Sequence, residues 1–86
     1  MEILFTEQFD QAYEKLTKAE KRSIRKALAL LGANQRHPSL RVKKMQGGKS
    51  IWEARPSMRL RMTFEIDGES IFMRNVGEHD KALKRP

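Results

Sequence analysis

Residues 59–76 read RLRMTFEIDGESIFMRNV, and this stretch decides the fold of the 86-residue chain. Apolar and polar side chains alternate from Leu60 to Ile66, which is the period-two pattern of a strand with one buried face. Asp67-Gly68 is a two-residue hairpin signal, and residues 71–76 supply the returning strand. The stretch therefore predicts a hairpin within an antiparallel sheet.

Two shorter β segments precede the hairpin. His37-Pro38 breaks any helix and begins this β half of the chain. Residues 40–45 form the first predicted segment, which ends at the turn Gly47-Gly48, and residues 51–55 form the second. Together with the hairpin they predict four successive strands, and Gly77 follows the last of them.

The N-terminal part of the chain has helical patterning. Residues 2–5 are a short apolar run that suits an edge strand, and Thr6 can cap the helix that follows. Residues 17–20 (TKAE) form a capping box for a second helix, because the hydroxyl and the carboxylate can each satisfy a backbone group. We expect that helix to end in a left-handed C-cap at Gly32 or Asn34.

The element order β-α-α-β-β-β-β predicts an α+β fold. In this fold an N-terminal strand and a helical hairpin pack on a mostly antiparallel four-stranded sheet. Residues 1–86 are too few for two cores, so we expect a single domain. The start of the chain lacks the features of a signal peptide, and no stretch approaches the ~20 apolar residues of a membrane span. We therefore expect a cytoplasmic protein that does not act at a membrane.

The chain is strongly basic. Lys and Arg number 18 against 11 Asp and Glu, which gives a net charge of +7. Such a surface attracts nucleic acid, an acidic protein or an anionic membrane. Cysteine is absent and the two histidines are isolated, so the sequence contains no disulfide framework, no thiolate and no zinc-binding spacing. We expect no metal and no cofactor.

The candidate catalytic set consists of Glu53, Arg55, Arg61 and His79. Glu53 and Arg55 are two residues apart and share a strand face, and Arg61 comes from the next strand. RNA cleavage by its own 2′-OH needs a base for that hydroxyl, an acid for the leaving 5′-oxygen and cations on the phosphorane. Carboxylate and imidazole suit the proton transfers, and arginine suits the phosphorane. The competing interpretation is a set of solvated polar positions in which Glu53 pairs with an arginine.

Asp80 and Trp52 also have two interpretations each. Asp80 either orients His79 or caps the short turn at residues 81–83, and we favour the cap. Trp52 is either a core side chain or a platform on which a base stacks, and we favour the core. His37 is interpreted as a loop residue before Pro38.

Basic residues around the set are candidates for binding RNA. Non-specific contacts to phosphates are the functional interpretation. The alternative for the lysines is a solvated, charged edge strand that resists aggregation. These candidates are Arg41, Lys43, Lys44 and Lys49 along the rim of the sheet, and Arg74 from the last strand.

Four segments, in this order and spacing, resemble the RelE/ParE superfamily of toxin–antitoxin toxins: residues 37–47 (HPSLRVKKMQG), 51–55 (IWEAR), 59–64 (RLRMTF) and 76–80 (VGEHD). The helical hairpin ahead of them fits the same plan, so the resemblance covers nearly the whole chain. It implies a type II toxin that is held inactive by an antitoxin whose segments wrap it. RelE-like members cut mRNA in the ribosomal A site without a metal, whereas ParE-like members inhibit DNA gyrase.

The resemblance also implies roles by position. Arg61 matches an arginine that contacts the scissile phosphate, and Glu53, Arg55 and His79 match positions that are commonly basic in RelE. This chain departs from RelE because Glu53 replaces a lysine and no tyrosine follows His79. We also expect the C-terminal helix of RelE to be missing. A set of glutamate, arginine and histidine nonetheless suits acid–base cleavage.

We therefore expect a toxin that acts as a ribosome-dependent, metal-independent mRNA endonuclease. Its expected partners are a cognate antitoxin, in a toxin–antitoxin hetero-oligomer, and mRNA in the ribosomal A site. Two alternatives stay open. One is a ParE-like inhibitor of DNA gyrase, which needs no acid–base pair, and the other is a non-catalytic basic module that binds RNA or an acidic protein.

Overall fold

The computed structural model describes residues 2–45 and 50–86. The predicted α+β class is confirmed, and the predicted turn at Gly47-Gly48 lies outside the described residues. No helix within those two ranges is both long and apolar enough to cross a membrane. The elements are β1 (Glu2–Phe5), α1 (Glu7–Glu14), α2 (Lys18–Ala33), a 3₁₀ turn (Pro38–Leu40), β2 (Lys43–Lys44), β3 (Trp52–Ala54), β4 (Leu60–Asp67), β5 (Ser70–Glu78) and α3 (His79–Lys84).

The described residues form a five-stranded sheet in the order β1-β5-β4-β3-β2. The four later strands pair antiparallel, and the predicted hairpin of β4 and β5 is confirmed. β1 joins this sheet as a fifth strand at its edge and runs parallel to β5, with Ile3 opposite Ile71. It covers the outer side of Ser70–Met73, where backbone groups would otherwise be left unpaired.

The first of the four later strands is shorter than predicted. Only Lys43–Lys44 form β2, because Pro38–Leu40 form a 3₁₀ turn and Arg41 takes a left-handed conformation with φ 48° and ψ 48°. The carbonyl of the buried Leu40 accepts a hydrogen bond of 2.6 Å from the Arg55 backbone N–H. This bond joins the turn to the end of β3 and brings the backbone of Arg41 next to that of Arg55.

Both predicted N-caps are confirmed. The Thr6 hydroxyl accepts a hydrogen bond of 3.2 Å from the Phe9 N–H, and the Thr17 hydroxyl accepts one of 3.1 Å from the Glu20 N–H. The Glu20 carboxylate in turn accepts a hydrogen bond of 2.8 Å from the Thr17 N–H, which completes the capping box. These bonds satisfy backbone donors that the first turns of α1 and α2 leave free, so they set where the helices begin.

The predicted left-handed end of α2 is wrong. Asn34 follows the helix in an extended conformation, and its N–H donates to the Leu30 carbonyl at 2.8 Å. Gly32 lies inside the helix, where an added Cβ would stand 3.3 Å from Ile3 Cδ1. Glycine at this position therefore allows the close approach of α2 to β1 and does not serve a turn of the chain.

The core lies between the two N-terminal helices and one face of the sheet. Trp52 packs against it while remaining half-buried, so the interpretation as a core side chain holds for the part of the indole that contacts the core. Apolar burial of this kind contributes roughly 25 cal/mol per Å² removed from water and is the main stabilising term of the fold. The core consists of Phe9, Ile24, Ala27, Leu31, Leu40, Ala54, Leu60, Met62, Phe64, Ile71, Met73 and Val76.

The C-terminal residues form a helix that the sequence does not indicate, so the expected absence of a C-terminal helix is wrong. α3 begins at His79, and its buried Ala82 packs the helix against β4 and β5. Gly77, near the end of β5, has φ 156°, which L residues rarely adopt, and this lets the strand turn into the helix. Six residues with one buried position show no helical periodicity, and so short a helix depends on packing for its stability.

Thr63, in the middle of β4, has a buried hydroxyl with no hydrogen-bond partner among the described residues. Thr63→Val keeps the shape of the side chain and removes the unsatisfied group, so we expect the free energy of unfolding to rise by about 1 kcal/mol. Thr17→Val is the matched control, because it removes a helix cap and should lower that free energy by about 1 kcal/mol. Urea unfolding measures both changes, and a loss of stability in Thr63→Val would contradict the prediction.

Candidate functional site

A row of polar side chains crosses the sheet on the face turned away from α1 and α2. Glu53, Thr63 and Asn75 are cross-strand partners on β3, β4 and β5, and all three are buried. The neighbouring pair, Trp52 and Phe64, packs on the core side, and successive residues of a strand point to opposite faces. We call the face that carries Glu53, Thr63 and Asn75 the polar face.

Arg61 occupies the next row of the polar face. It lies two residues before Thr63 on β4, and its partner on β5 is Gly77. The register between β3 and β4, extended by one residue, places Arg55 opposite Arg61 on the other side. The structure therefore brings the two predicted phosphate-binding arginines together.

The backbone of His79 lies next to the end of β4 that carries Arg61. His79 comes two residues after Gly77, and its backbone N–H donates to the Arg59 carbonyl at 3.0 Å. Glu53 is one row away from Arg61 in the opposite direction. By backbone position, Arg61 therefore lies between Glu53 and His79 along β4.

The guanidinium of Arg61 is held by the backbone of the loop before β4. The residue is only 8% exposed. Its Nη1 donates to three carbonyls, those of Ser57 at 3.2 Å, Met58 at 3.1 Å and Leu60 at 2.8 Å. Among the described residues no carboxylate lies within ion-pair distance of it. The position of this cation is therefore set by carbonyls that leave its charge un-neutralised.

The electrostatics of the Arg61 side chain reflect its surroundings. Burial lowers the pKa of the Arg61 guanidinium, and the neighbouring charge of Arg55 lowers the pKa further, while the Glu53 carboxylate acts in the opposite direction. Arginine nevertheless stays protonated at neutral pH. Two cations that repel each other in a partly desolvated place are stabilised by an incoming anion, and low polarity strengthens that attraction. The arrangement can therefore bind a phosphate group.

Glu53 forms an ion pair with Lys43 of the edge strand. The two are cross-strand partners, and Lys43 Nζ lies 3.3 Å from Glu53 Oε1. The Glu53 side chain is 9% exposed, whereas that of Lys43 is 72% exposed. The pairing that the competing interpretation assigned to an arginine is thus made by Lys43. Contact of Lys43 with RNA stays a prediction.

The imidazole of His79 is 56% exposed, and its Nδ1 lies 3.1 Å from Asp80 Oδ1. The predicted capping role of Asp80 is wrong. α3 starts two residues earlier than expected, so Glu78 takes the N-cap position and Asp80 lies inside the first turn. An Nδ1–H that donates to Asp80 leaves Nε2 to exchange protons with a ligand. No third histidine, cysteine or carboxylate joins this pair in the described part of the chain to form a metal-binding group.

The remaining basic candidates lie in different surroundings. Arg41 and Arg55 line a common cavity of about 320 Å³ beside the loop before β4. Lys44 is paired with Trp52 in the sheet and is exposed. Arg74, at an irregularity in the β4–β5 pairing, forms an ion pair with Glu65 and is not brought to Arg61. Lys49 lies outside the described residues, and RNA contacts by all these side chains stay predictions.

Thr63 and Asn75 belong to the polar face although sequence reasoning does not single them out. Asn75 is held at both ends, since its Nδ2 donates to the Arg85 carbonyl at 2.8 Å and its Oδ1 accepts from the Val76 N–H at 2.9 Å. For Thr63, the period-two alternation of β4 was the available signal. The irregularity in β5 shifts the alternation before Asn75, so no comparable signal marks that residue.

Solved structures share this fold at low sequence identity. YafQ from E. coli strain BL21(DE3) has a TM-score of 0.79 and 13% identity, over 93% of this chain and 94% of that chain. A metal-bound toxin from Helicobacter pylori has a TM-score of 0.78 and 21% identity, over 94% and 97%. A RelB–RelE antitoxin–toxin complex from Methanococcus jannaschii has a TM-score of 0.75 and 18% identity, over 94% of this chain and 95% of that chain. No protein-family model and no curated protein sequence matches the chain.

The ion pair of Glu53 predicts unequal effects for the two lysines of β2. Lys43→Gln leaves a buried carboxylate without its cation, so we expect the free energy of unfolding to fall by about 1 kcal/mol after allowance for the exposure of the lysine. Lys44→Gln is the matched control and should change it by less than about 0.5 kcal/mol. Urea unfolding at pH 7 measures both, and equal effects would show that Glu53 does not depend on Lys43.

Proposed function

We propose that this protein, which has the fold of the RelE/ParE toxins, is the toxin of a type II toxin–antitoxin system and cuts mRNA on the ribosome without a metal. The observation that carries the proposal is the placement of Arg61. Its buried, carbonyl-held guanidinium lies beside Arg55, with Glu53 in the row on one side and His79 beyond it on the other.

The reaction requires a base and an acid on either side of the arginines that bind the phosphate. The 2′-oxygen attacks the phosphorus, the bond to the 5′-oxygen breaks, and the products are a 2′,3′-cyclic phosphate and a 5′-hydroxyl. Because the attacking and leaving oxygens lie roughly in line, the base and the acid are needed on opposite sides of the phosphate. The backbone positions of Glu53 and His79 on either side of Arg61 along β4 support the assignment of these two roles.

Each residue then has one role in the proposed reaction. Arg61 and Arg55 bind the scissile phosphate and stabilise the extra negative charge of the phosphorane. Glu53 takes the proton of the 2′-hydroxyl, and His79 gives a proton to the leaving 5′-oxygen. Lys43 positions Glu53 through its ion pair. Asp80 orients the His79 ring through Nδ1.

Solved complexes support an antitoxin as the protein partner. Structures with this fold include the RelB–RelE complex from Methanococcus jannaschii, the DinJ–YafQ complex from E. coli and the YoeB–YefM complex from Staphylococcus aureus. We infer that this chain likewise forms a hetero-oligomer with a cognate antitoxin. Its net charge of +7 favours a partner with acidic segments. mRNA in the ribosomal A site is the proposed substrate, which places the protein in the cytoplasm.

His79→Ala tests the proposed acid directly. Induced expression of the unmodified chain should arrest growth and create new mRNA 5′ ends inside translated frames. His79→Ala should reduce those ends by about 10²-fold or more, the usual contribution of a general acid. Lys81→Ala, at an exposed position of the same short helix, is the matched control and should leave them unchanged.

Other outcomes of that experiment point to other functions. Growth arrest with DNA damage and intact mRNA would contradict the nuclease and indicate a gyrase inhibitor like ParE. Absence of arrest would contradict the toxin and indicate a non-catalytic binding module. New 5′ ends that persist in His79→Ala would retain the nuclease and remove His79 from the site.

A further inference from the structure

A second basic cavity adjoins the site on the far side of Arg41. Its volume is about 470 Å³, and it lies at the end of α2, between the 3₁₀ turn and Trp52. Arg41 lines both this cavity and the one that it shares with Arg55. Among residues 2–45 and 50–86, no acidic side chain lines either cavity. Arg41 therefore links the second cavity to the one that contains Arg55 of the candidate site.

Trp52 gives the second cavity an aromatic wall. Part of the indole packs on the core and the rest lines the cavity, which agrees with its half-buried state. Indole faces bind nucleobases by stacking, and a stacked base contributes about 1–3 kcal/mol whatever its identity. An aromatic wall beside cations matches the chemistry of a nucleotide, which has a flat base and an anionic phosphate.

Two arginines at this cavity have charges that no carboxylate balances. Arg36 and Arg41 are exposed, and neither forms an ion pair within residues 2–45 and 50–86. Arg41 also has the left-handed backbone conformation that residues other than glycine adopt at a cost of about 1–2 kcal/mol. This backbone conformation belongs to the residue that lines both cavities, Arg41.

Gln35 adds an unsatisfied polar atom to the same place. Its side chain lines the cavity, and its Oε1 is buried without a hydrogen-bond partner among the described residues. A buried acceptor left in this state costs about 1–3 kcal/mol. That oxygen has almost no accessible surface, so Gln35 contributes the remainder of its side chain to the cavity wall.

We propose that this cavity, the Trp52 pocket, binds one nucleotide of single-stranded RNA. The base stacks on Trp52 near Gln35, and the phosphate lies between Arg36 and Arg41. The inference rests on the proposed function, in which RNA is the substrate. It adds a second binding position, separated from Arg61 by the cavity of Arg41 and Arg55, so that the enzyme holds the strand beside the cleaved bond as well as at it.

Trp52 is the single tryptophan of the chain, so its fluorescence reports on this pocket alone. The probe is a single-stranded hexaribonucleotide, titrated into the protein without ribosomes. The control probe is a hexamer of the same backbone without bases. We expect the hexaribonucleotide to quench Trp52 and the base-free hexamer to leave it unchanged, because only a base can stack. Equal effects of the two probes, or no quenching by either, would overturn the pocket.

A pair of double variants tests the arginines. Arg36→Gln/Arg41→Gln should weaken quenching roughly tenfold, because it removes both phosphate contacts. Lys18→Gln/Arg22→Gln removes the same charge from an exposed stretch of α2 and should weaken it less than about twofold. Equal weakening would overturn the phosphate position. Circular dichroism confirms that each variant is folded.

Cleavage of ribosome-bound mRNA by the same proteins separates the two proposals. Cleavage by the unmodified chain without quenching of Trp52 would remove the pocket and leave the nuclease in place. Quenching without cleavage would retain the pocket as a nucleotide site and contradict the nuclease. Both signals together, each weakened by Arg36→Gln/Arg41→Gln, are the expected result.

Discussion

The burial of the Arg61 guanidinium is the constraint on which the rest of the site depends. A charge taken out of water destabilises the fold by several kcal/mol unless it is hydrogen-bonded. Two carbonyls of the loop before β4 and that of Leu60, the first residue of β4, accept hydrogen bonds from Nη1. Gly77, opposite Arg61, has an unusual backbone conformation two residues before the start of α3 at His79. The cross-strand pair of Arg61 and Gly77 thus links the buried guanidinium to the end of β5 and the start of α3.

The hairpin of β4 and β5 was predictable because one buried face imposes strict alternation on Leu60–Ile66. Capping of α1 and α2 was predictable for a similar reason, since both caps are local hydrogen bonds between residues three apart. The helix α3 was not predictable from the sequence, because its stability comes from packing of Ala82 against β4 and β5. The end of α2 was mispredicted because Gly32 serves a contact with Ile3 instead of a turn.

For the candidate site, the sequence indicated which residue types meet but not how they pair. Period-two spacing put Glu53 and Arg55 on one face, and the structure adds Arg61 between Glu53 and His79. The sequence could not reveal that Lys43 forms an ion pair with Glu53, because that pair depends on the register of an edge strand of only two residues. Likewise, the sequence could not reveal that Arg74, a candidate for binding RNA, forms an ion pair with Glu65 at an irregularity in the strand pairing.

The central claim is that the geometry of Arg61, and not its charge alone, makes the polar face reactive. Single-turnover cleavage of ribosome-bound mRNA by Arg61→Lys tests it most directly, because lysine keeps the charge and loses the planar fork that binds the phosphate. Arg59→Lys, at an exposed position two residues away, is the control and should cleave at the unmodified rate. We predict that Arg61→Lys slows cleavage by about 10²-fold or more while remaining folded. An unchanged rate in Arg61→Lys would contradict the claim.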